Sequence, residues 1–124
     1  MSEIEKDENR ECRISNEAIV DAYGPEEQAL GWYYYLEERM SFPFLAKCIL
    51  ERINSPLRID ERVKVVGMVD EYDCMVEMIV KIEWADRTFG VPLAQLKAVD
   101  VDDEAEEAIA DWHYWVDRGY RLCG

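Results

Sequence analysis

The sequence has 124 residues, of which 28 are Asp or Glu and 14 are Lys or Arg, so the formal net charge is −14. Such a surface repels nucleic acid and anionic membranes, because both require positive charge on the protein. A hydrophobic content of 49% argues against a disordered chain. The length suits a single domain over residues 1–124, with a flexible acidic tail over residues 1–14.

The first ten residues are too charged for a signal peptide, and no stretch has the apolar length of a membrane span. We therefore expect a cytoplasmic protein. The four cysteines are far apart and form no CxxC pair: Cys12, Cys48, Cys74 and Cys123. With only one histidine, a zinc site would need an unusual ligand set, so free thiols are expected. Cys48 and Cys74 lie in or beside apolar runs and should pack as small hydrophobes.

Two helices are predicted in the first third of the chain. Ser15 or Asn16 can cap a short helix with an apolar stripe at Ile19, Val20 and Tyr23. Gly24-Pro25 then ends this helix and begins a second one over residues 25–40. Its inner face is formed by Ala29, Trp32, Tyr33, Leu36 and Met40.

The middle of the chain predicts strands. Residues 44–52 fit either a helical stripe or a short buried strand. Residues 63–69 are apolar enough for a strand buried on both faces, and residues 78–84 alternate as a half-buried strand. Residues 88–93 return as a hairpin, and residues 98–101 form a short closing strand.

A third helix is predicted from a cap at Asp102 or Asp103 to about Arg118, closed by Gly119. The fold class is therefore α+β. We expect a small, strongly curved antiparallel sheet, an SH3-like or Sm-like barrel, packed with N-terminal and C-terminal helices.

Acidic residues concentrate at three places in this predicted fold. They are Glu37 and Glu38 at the end of the second helix, Asp70, Glu71 and Asp73 between two strands, and Asp100 and Asp102 before the third helix. Carboxylates in tight loops are ligands that Ca²⁺ prefers, and a divalent ion relieves their mutual repulsion. A solvated acidic surface is the alternative interpretation of each cluster.

The best-known calcium loop does not fit. An EF-hand loop beginning at Asp100 would place Ala105 where a glycine is required. A meander would also place the 70–73 loop at one end of the sheet, and Asp86 with Asp100 and Asp102 at the other end. The sequence thus predicts two separate acidic patches.

No enzyme is predicted. His113 has no serine or cysteine partner at a recognisable spacing, and no glycine-rich phosphate loop is present. The alternative to calcium binding is an acidic SH3-like module whose negative face steers a basic protein partner. In either case we expect a monomer.

Four separated segments resemble the CcbP calcium-binding family, which is known from cyanobacteria and other bacteria: WYYYLEERMSFPF, VKVVGM, VPLAQLKAVDVD and AIADWHYWV. The resemblance implies a cytoplasmic protein that binds calcium without EF-hands and buffers or modulates free calcium. In cyanobacteria it implies a link to heterocyst differentiation. Within the matching segments, it supports Glu37, Glu38, Asp100 and Asp102 as ligands, whereas Asp70, Glu71 and Asp73 rest on the loop chemistry alone.

Overall fold

The computed structural model describes residues 6–53, 55–120 and 122. Three α-helices are formed: α1 (Glu8–Arg13), α2 (Pro25–Arg39) and α3 (Asp103–Asp117). Five strands follow α2: β1 (Phe44–Cys48), β2 (Arg62–Met68), β3 (Ile79–Trp84), β4 (Arg87–Pro92) and β5 (Leu96–Val99). A π-helical turn, Ile14–Ala18, continues α1, and short 3₁₀ turns occupy Glu71–Cys74 and Leu93–Gln95.

The five strands form one antiparallel sheet in the order β4-β3-β2-β1-β5. The α+β class is thus confirmed, and so are the hairpin of β3 with β4 and the short last strand. Closure into a barrel is not confirmed. It would require the two edge strands to pair, and within the described residues β4 and β5 each have a single strand neighbour. The segment at residues 44–52, which fitted either a helix or a strand, supplies β1 between β2 and β5.

One face of the sheet packs against the helices, and the other faces solvent. β2 alternates between buried and exposed residues, with Val63 and Val65 inside and Lys64 outside. The prediction that this strand is buried on both faces is therefore wrong. Its apolar run suggested two covered faces, but no described helix lies over the outer face.

Helices α2 and α3 contribute the aromatic core. All five residues predicted for the inner face of α2 are buried. Trp32 of α2 contacts Trp112 and Trp115 of α3, with ring centroids 5.1 and 5.6 Å apart. Such edge-on and tilted pairs add specific geometry to a large buried apolar area. Asp102 caps α3 and Gly119 follows it with a positive φ of 90°, as the sequence predicted.

The N-terminal segment differs from its prediction. Residues 8–13, expected to belong to a frayed tail, are helical, and residues 1–5 lie outside the described part of the chain. The predicted stripe at Val20 and Tyr23 is also wrong, because these side chains are 53% and 88% exposed. The helical segment begins earlier. Its arginines bind α3, and its buried apolar residues are Ile14 and Ala18.

Asp111 of α3 is the residue that holds this segment. Its side chain is fully buried and accepts hydrogen bonds from Arg10 Nη1 at 2.7 Å and from Arg13 Nε and Nη2 at 2.9 and 2.7 Å. The Tyr35 hydroxyl donates a fourth bond at 2.8 Å. The hydrogen bond and charge of Asp111 raise the pKa of Arg13, so this guanidinium keeps its positive charge. Asp111 therefore joins α1, α2 and α3.

No helix in residues 6–53, 55–120 and 122 has the length and apolarity needed to cross a membrane.

Candidate metal centre

Two tyrosines of α2 bind the segment that follows β2. The Tyr33 hydroxyl donates to the carbonyl of Val69 at 2.6 Å, and the Tyr34 hydroxyl donates to the carboxylate of Glu71. Because both residues lie within the last two turns of α2, these bonds hold the end of the helix against the segment. The sequence predicted packing for the ring of Tyr33 and no contact for its hydroxyl. A run of tyrosines supplies hydroxyl donors, which phenylalanines would not, and this was the sequence signal for hydrogen bonds from this face.

The segment is an acidic loop formed by Asp70, Glu71 and Asp73. Asp70 caps the 3₁₀ turn by accepting the Tyr72 amide at 3.1 Å, and its carbonyl accepts the Asp73 amide at 2.9 Å. Both aspartates are exposed, whereas Glu71 is half-buried beneath Tyr34. The turn therefore fixes the backbone of the acidic loop and leaves carboxylate oxygens free.

Glu37, one turn after Tyr33 on α2, belongs to the same surface. Burial, and then the negative charges of Glu37, Glu71 and Asp70 among nearby groups, raise the pKa of Tyr33 to about 12. The hydrogen bond to Glu71 raises the pKa of Tyr34, and the charges of Glu71 and Glu37 act in the same direction. Predicted ligands from two distant parts of the sequence therefore share one electrostatic environment.

Two other predicted ligands lie at the edge of this group. Glu38 is exposed and lies 3.8 Å from Arg39 Nη1, an ion pair on the surface of α2. Burial, with smaller contributions from the charges of Asp73, Asp70 and Glu77, raises the pKa of the Cys74 thiol to about 11. Asp73 thus lies toward Cys74 at the far end of the turn.

Asp100 and Asp102 do not lie where the sequence predicted. β5 pairs with β1, with Val99 opposite Leu45, and Phe44 in turn lies opposite Val65 of β2. Asp100 therefore follows β5 at the end of the sheet where β2 runs toward the acidic loop. The Asp86 turn is at the opposite end. The prediction of separate patches assumed that β5 continues the meander, and the pairing with β1 reverses its direction.

Asp102 has a local structural role as well. Its carboxylate accepts the Ala105 amide at 2.8 Å, which caps α3, while Asp100 adopts a positive φ of 55°. Capping uses one carboxylate oxygen and leaves the other available.

The donor chemistry of these residues fits a hard cation, since all of them offer carboxylate oxygens. Within the described residues, however, no three His, Cys, Asp or Glu side chains are already close enough to hold a metal ion. The carboxylates share a surface without forming a closed set of ligands.

The other reactive groups have packing roles. His113 Nε2 lies 2.7 Å from the Leu96 carbonyl, and burial lowers its pKa. Cys48 and Cys74 are buried free thiols, as predicted, and Cys12 is free and exposed. Cys123 lies outside the described residues.

Comparison with known proteins identifies the family. The model of a calcium-binding family, Calci_bind_CcbP, matches residues 12–116. The chain belongs to the CcbP calcium-binding family. The resemblance seen in the sequence is thus confirmed, and calcium is the ion that this family binds.

Two solved structures agree with this assignment. The crystal structure of Anabaena CcbP is 42% identical, with a TM-score of 0.85, and the match covers 97% of this chain and 98% of that one. A calcium-binding protein in its calcium-binding form is 41% identical, with a TM-score of 0.84 and the same coverage. A search of curated proteins found no match.

Proposed function

We propose that this CcbP-family protein binds Ca²⁺ with carboxylates at the junction of α2 and the acidic loop, and thereby buffers or modulates free calcium in the cytoplasm. The observation that supports this most strongly is the pair of tyrosine contacts that joins the end of α2, which carries Glu37, to the loop of Asp70 and Glu71. These residues are separated by more than thirty positions in the sequence, and their mutual repulsion is unfavourable without a cation.

Glu37, Asp70 and Glu71 would hold the ion, with Glu38 and Asp73 as neighbouring donors. Asp100 and Asp102, at the same end of the sheet, would form a second donor pair. Bound Ca²⁺ would supply a divalent positive charge that offsets the repulsion between carboxylates. Because the described ligands are not preassembled, we expect the micromolar to sub-millimolar affinity typical of a modulator of free calcium.

Calcium titration by calorimetry in excess Mg²⁺ tests the proposal. Asp70→Asn and Glu71→Gln each remove one charge at the junction, and Asn at position 70 can still cap the 3₁₀ turn. Each should weaken Ca²⁺ binding roughly 10–100-fold, since loss of an outer-sphere partner alone already has an effect of this size.

Asp86→Asn is the matched control. It removes the same charge at the opposite end of the sheet and should leave calcium affinity unchanged. An equal loss in all three variants would mean that calcium only screens the net charge of −14, which contradicts a defined site. Asp100→Asn and Asp102→Asn test the second donor pair in the same way.

Two further predictions have a different basis from the calcium site. A basic protein partner is suggested by the overall charge alone, and the link to heterocyst differentiation is implied only by the family resemblance.

A further inference from the structure

Three cations lie in one row across the outer face of the sheet. Lys47 of β1 is directly opposite Arg62 of β2 on one side and Lys97 of β5 on the other. Directly opposed residues of antiparallel strands project from the same face. Arg62 and Lys97 are exposed, and the Lys47 side chain is 36% exposed. We call Arg62, Lys47 and Lys97 the basic strip.

The basic strip is unfavourable for stability. Directly opposed like charges have Cβ atoms only about 5 Å apart and destabilise a sheet. Lys47 has one exposed partner, Asp60, at 3.7 Å. Within the described residues, neither Arg62 nor Lys97 forms an ion pair. A chain with twice as many acidic as basic residues therefore places three cations together with one paired carboxylate, Asp60, among the described residues.

Apolar side chains border the basic strip along β1. Leu45 lies two residues before Lys47 and on the same outer face of β1 by strand alternation. Ile49, directly after the strand, lines a groove that Lys97 also lines. Leu45 and Ile49 are 49% and 42% exposed. The surface thus presents an apolar position, a row of cations and a second apolar position.

We infer that the basic strip docks a short acidic segment of a partner protein, in which carboxylates alternate with apolar side chains. The charge of the surface selects the acidic residues of the segment, and Leu45 and Ile49 select its apolar residues. Two contributions define this partner: charge complementarity provides specificity, and the apolar contacts provide buried area.

The size of the basic strip favours a peptide over other anions. Three strands span about 10 Å, from two inter-strand spacings of about 4.8 Å. Beyond this distance carboxylates lie beside the cations. Glu83 pairs with Lys64 in the adjacent row, and Glu106 and Asp117 line the groove beside Lys97. A nucleic acid would extend onto these carboxylates, whereas a short segment stays within the basic strip.

Fluorescence anisotropy with a labelled peptide of alternating Glu and Leu tests this inference, in low salt and excess EGTA so that calcium does not contribute. The strip variant is Lys47→Gln/Arg62→Gln/Lys97→Gln. Its matched control, Lys6→Gln/Lys81→Gln/Arg87→Gln, removes three exposed cations elsewhere and changes the net charge equally. The strip variant should bind about tenfold more weakly than the control, which corresponds to three exposed charge pairs.

Thermal unfolding provides a second readout. Removing opposed like charges should leave the strip variant no less stable than its control, so weaker binding cannot be attributed to unfolding. Equal peptide binding by the two variants would overturn the inference, as would equal binding of a Gln/Leu peptide. Binding of a single-stranded oligonucleotide as tight as that of the peptide would replace the protein partner with nucleic acid. Concentration-dependent dimerisation lost only in the strip variant would replace it with a second copy.

Discussion

At the scale of single residues, Asp111 shows how a helical pattern can hide a buried charge. It lies among Ala108, Trp112 and Trp115, all of them buried, so its spacing alone places it on the apolar face of α3. No role was predicted for Asp111 from the sequence. The arginines that neutralise Asp111 lie about a hundred positions earlier, and no local pattern connects them.

We expect Asp111→Asn to lower the free energy of unfolding by about 1.5–3 kcal/mol, because it removes the buried charge that accepts hydrogen bonds from both arginines. Each arginine keeps a second carboxylate at 3.6 Å, Asp7 for Arg10 and Glu107 for Arg13. Urea unfolding monitored by tryptophan fluorescence measures this loss. Asp117→Asn, on an exposed position of the same helix, should change the free energy by less than about 0.5 kcal/mol. Similar values for the two variants would mean that the ion pairs contribute nothing to stability.

His113 predicts a pH dependence. Its pKa is lowered in the folded state by burial, so the unfolded chain binds a proton more readily than the folded one. Stability is therefore complete above the ordinary value of about 6.5 and falls as the pH decreases through that value. His113→Gln, which can still donate to the Leu96 carbonyl, should remove the part of the decrease that begins near pH 6.5. An unchanged pH profile in urea unfolding would exclude His113 as its source.

At the scale of secondary-structure elements, the elements with strong periodicity were predictable. α2, α3, β3 and β4 have nearly the predicted bounds, because apolar spacing, caps and turn residues all agree there. The start of the chain was not predictable, since α1 has no buried residue and hence no apolar stripe. The direction of β5 depends on its pairing with β1. The segment 44–52, which contains β1, fits the helical period and a short buried strand equally well.

The close contact between α2 and the π-helical turn provides a test at this scale. A Cβ atom added at Gly31 would lie 2.3 Å from the carbonyl oxygen of Ala18, which is backbone and cannot rotate away. Gly31→Ala should therefore lower the thermal midpoint, although alanine favours an isolated helix by about 1 kcal/mol. Gly67→Ala, where nothing lies within 4 Å of the added atom, should not lower it. A stabilising Gly31→Ala would show that the two segments separate freely.

At the scale of the whole molecule, the candidate site depends on contacts between elements. The sequence predicted Glu37 and the acidic loop as candidate ligands, because clusters of acidic residues are visible in a single chain. It could not show which clusters meet. That depends on the tyrosine contacts of α2 and on the pairing of β5 with β1, both of which are tertiary features.

Calcium should stabilise the folded protein as a whole. A ligand that binds only the folded state adds about 2.7 kcal/mol when its free concentration is 100 times the dissociation constant. The thermal midpoint should therefore rise with calcium at constant ionic strength, and the rise should diminish below about pH 5, where protons compete for carboxylates. An identical rise with Mg²⁺ would argue for screening of the net charge instead of a calcium site.

Helix α1 is attached to the rest of the fold by polar contacts, without a buried side chain of its own. Salt screens buried ion pairs only weakly, so high ionic strength should leave the bonds to Asp111 in place. Loss of the Asp111 charge should instead loosen α1 while the remainder stays folded, and expose Arg10 and Arg13 to trypsin. A digest would then remove the first ten or thirteen residues and leave the rest of the protein intact, so one carboxylate determines the proteolytic lifetime of the N-terminal segment.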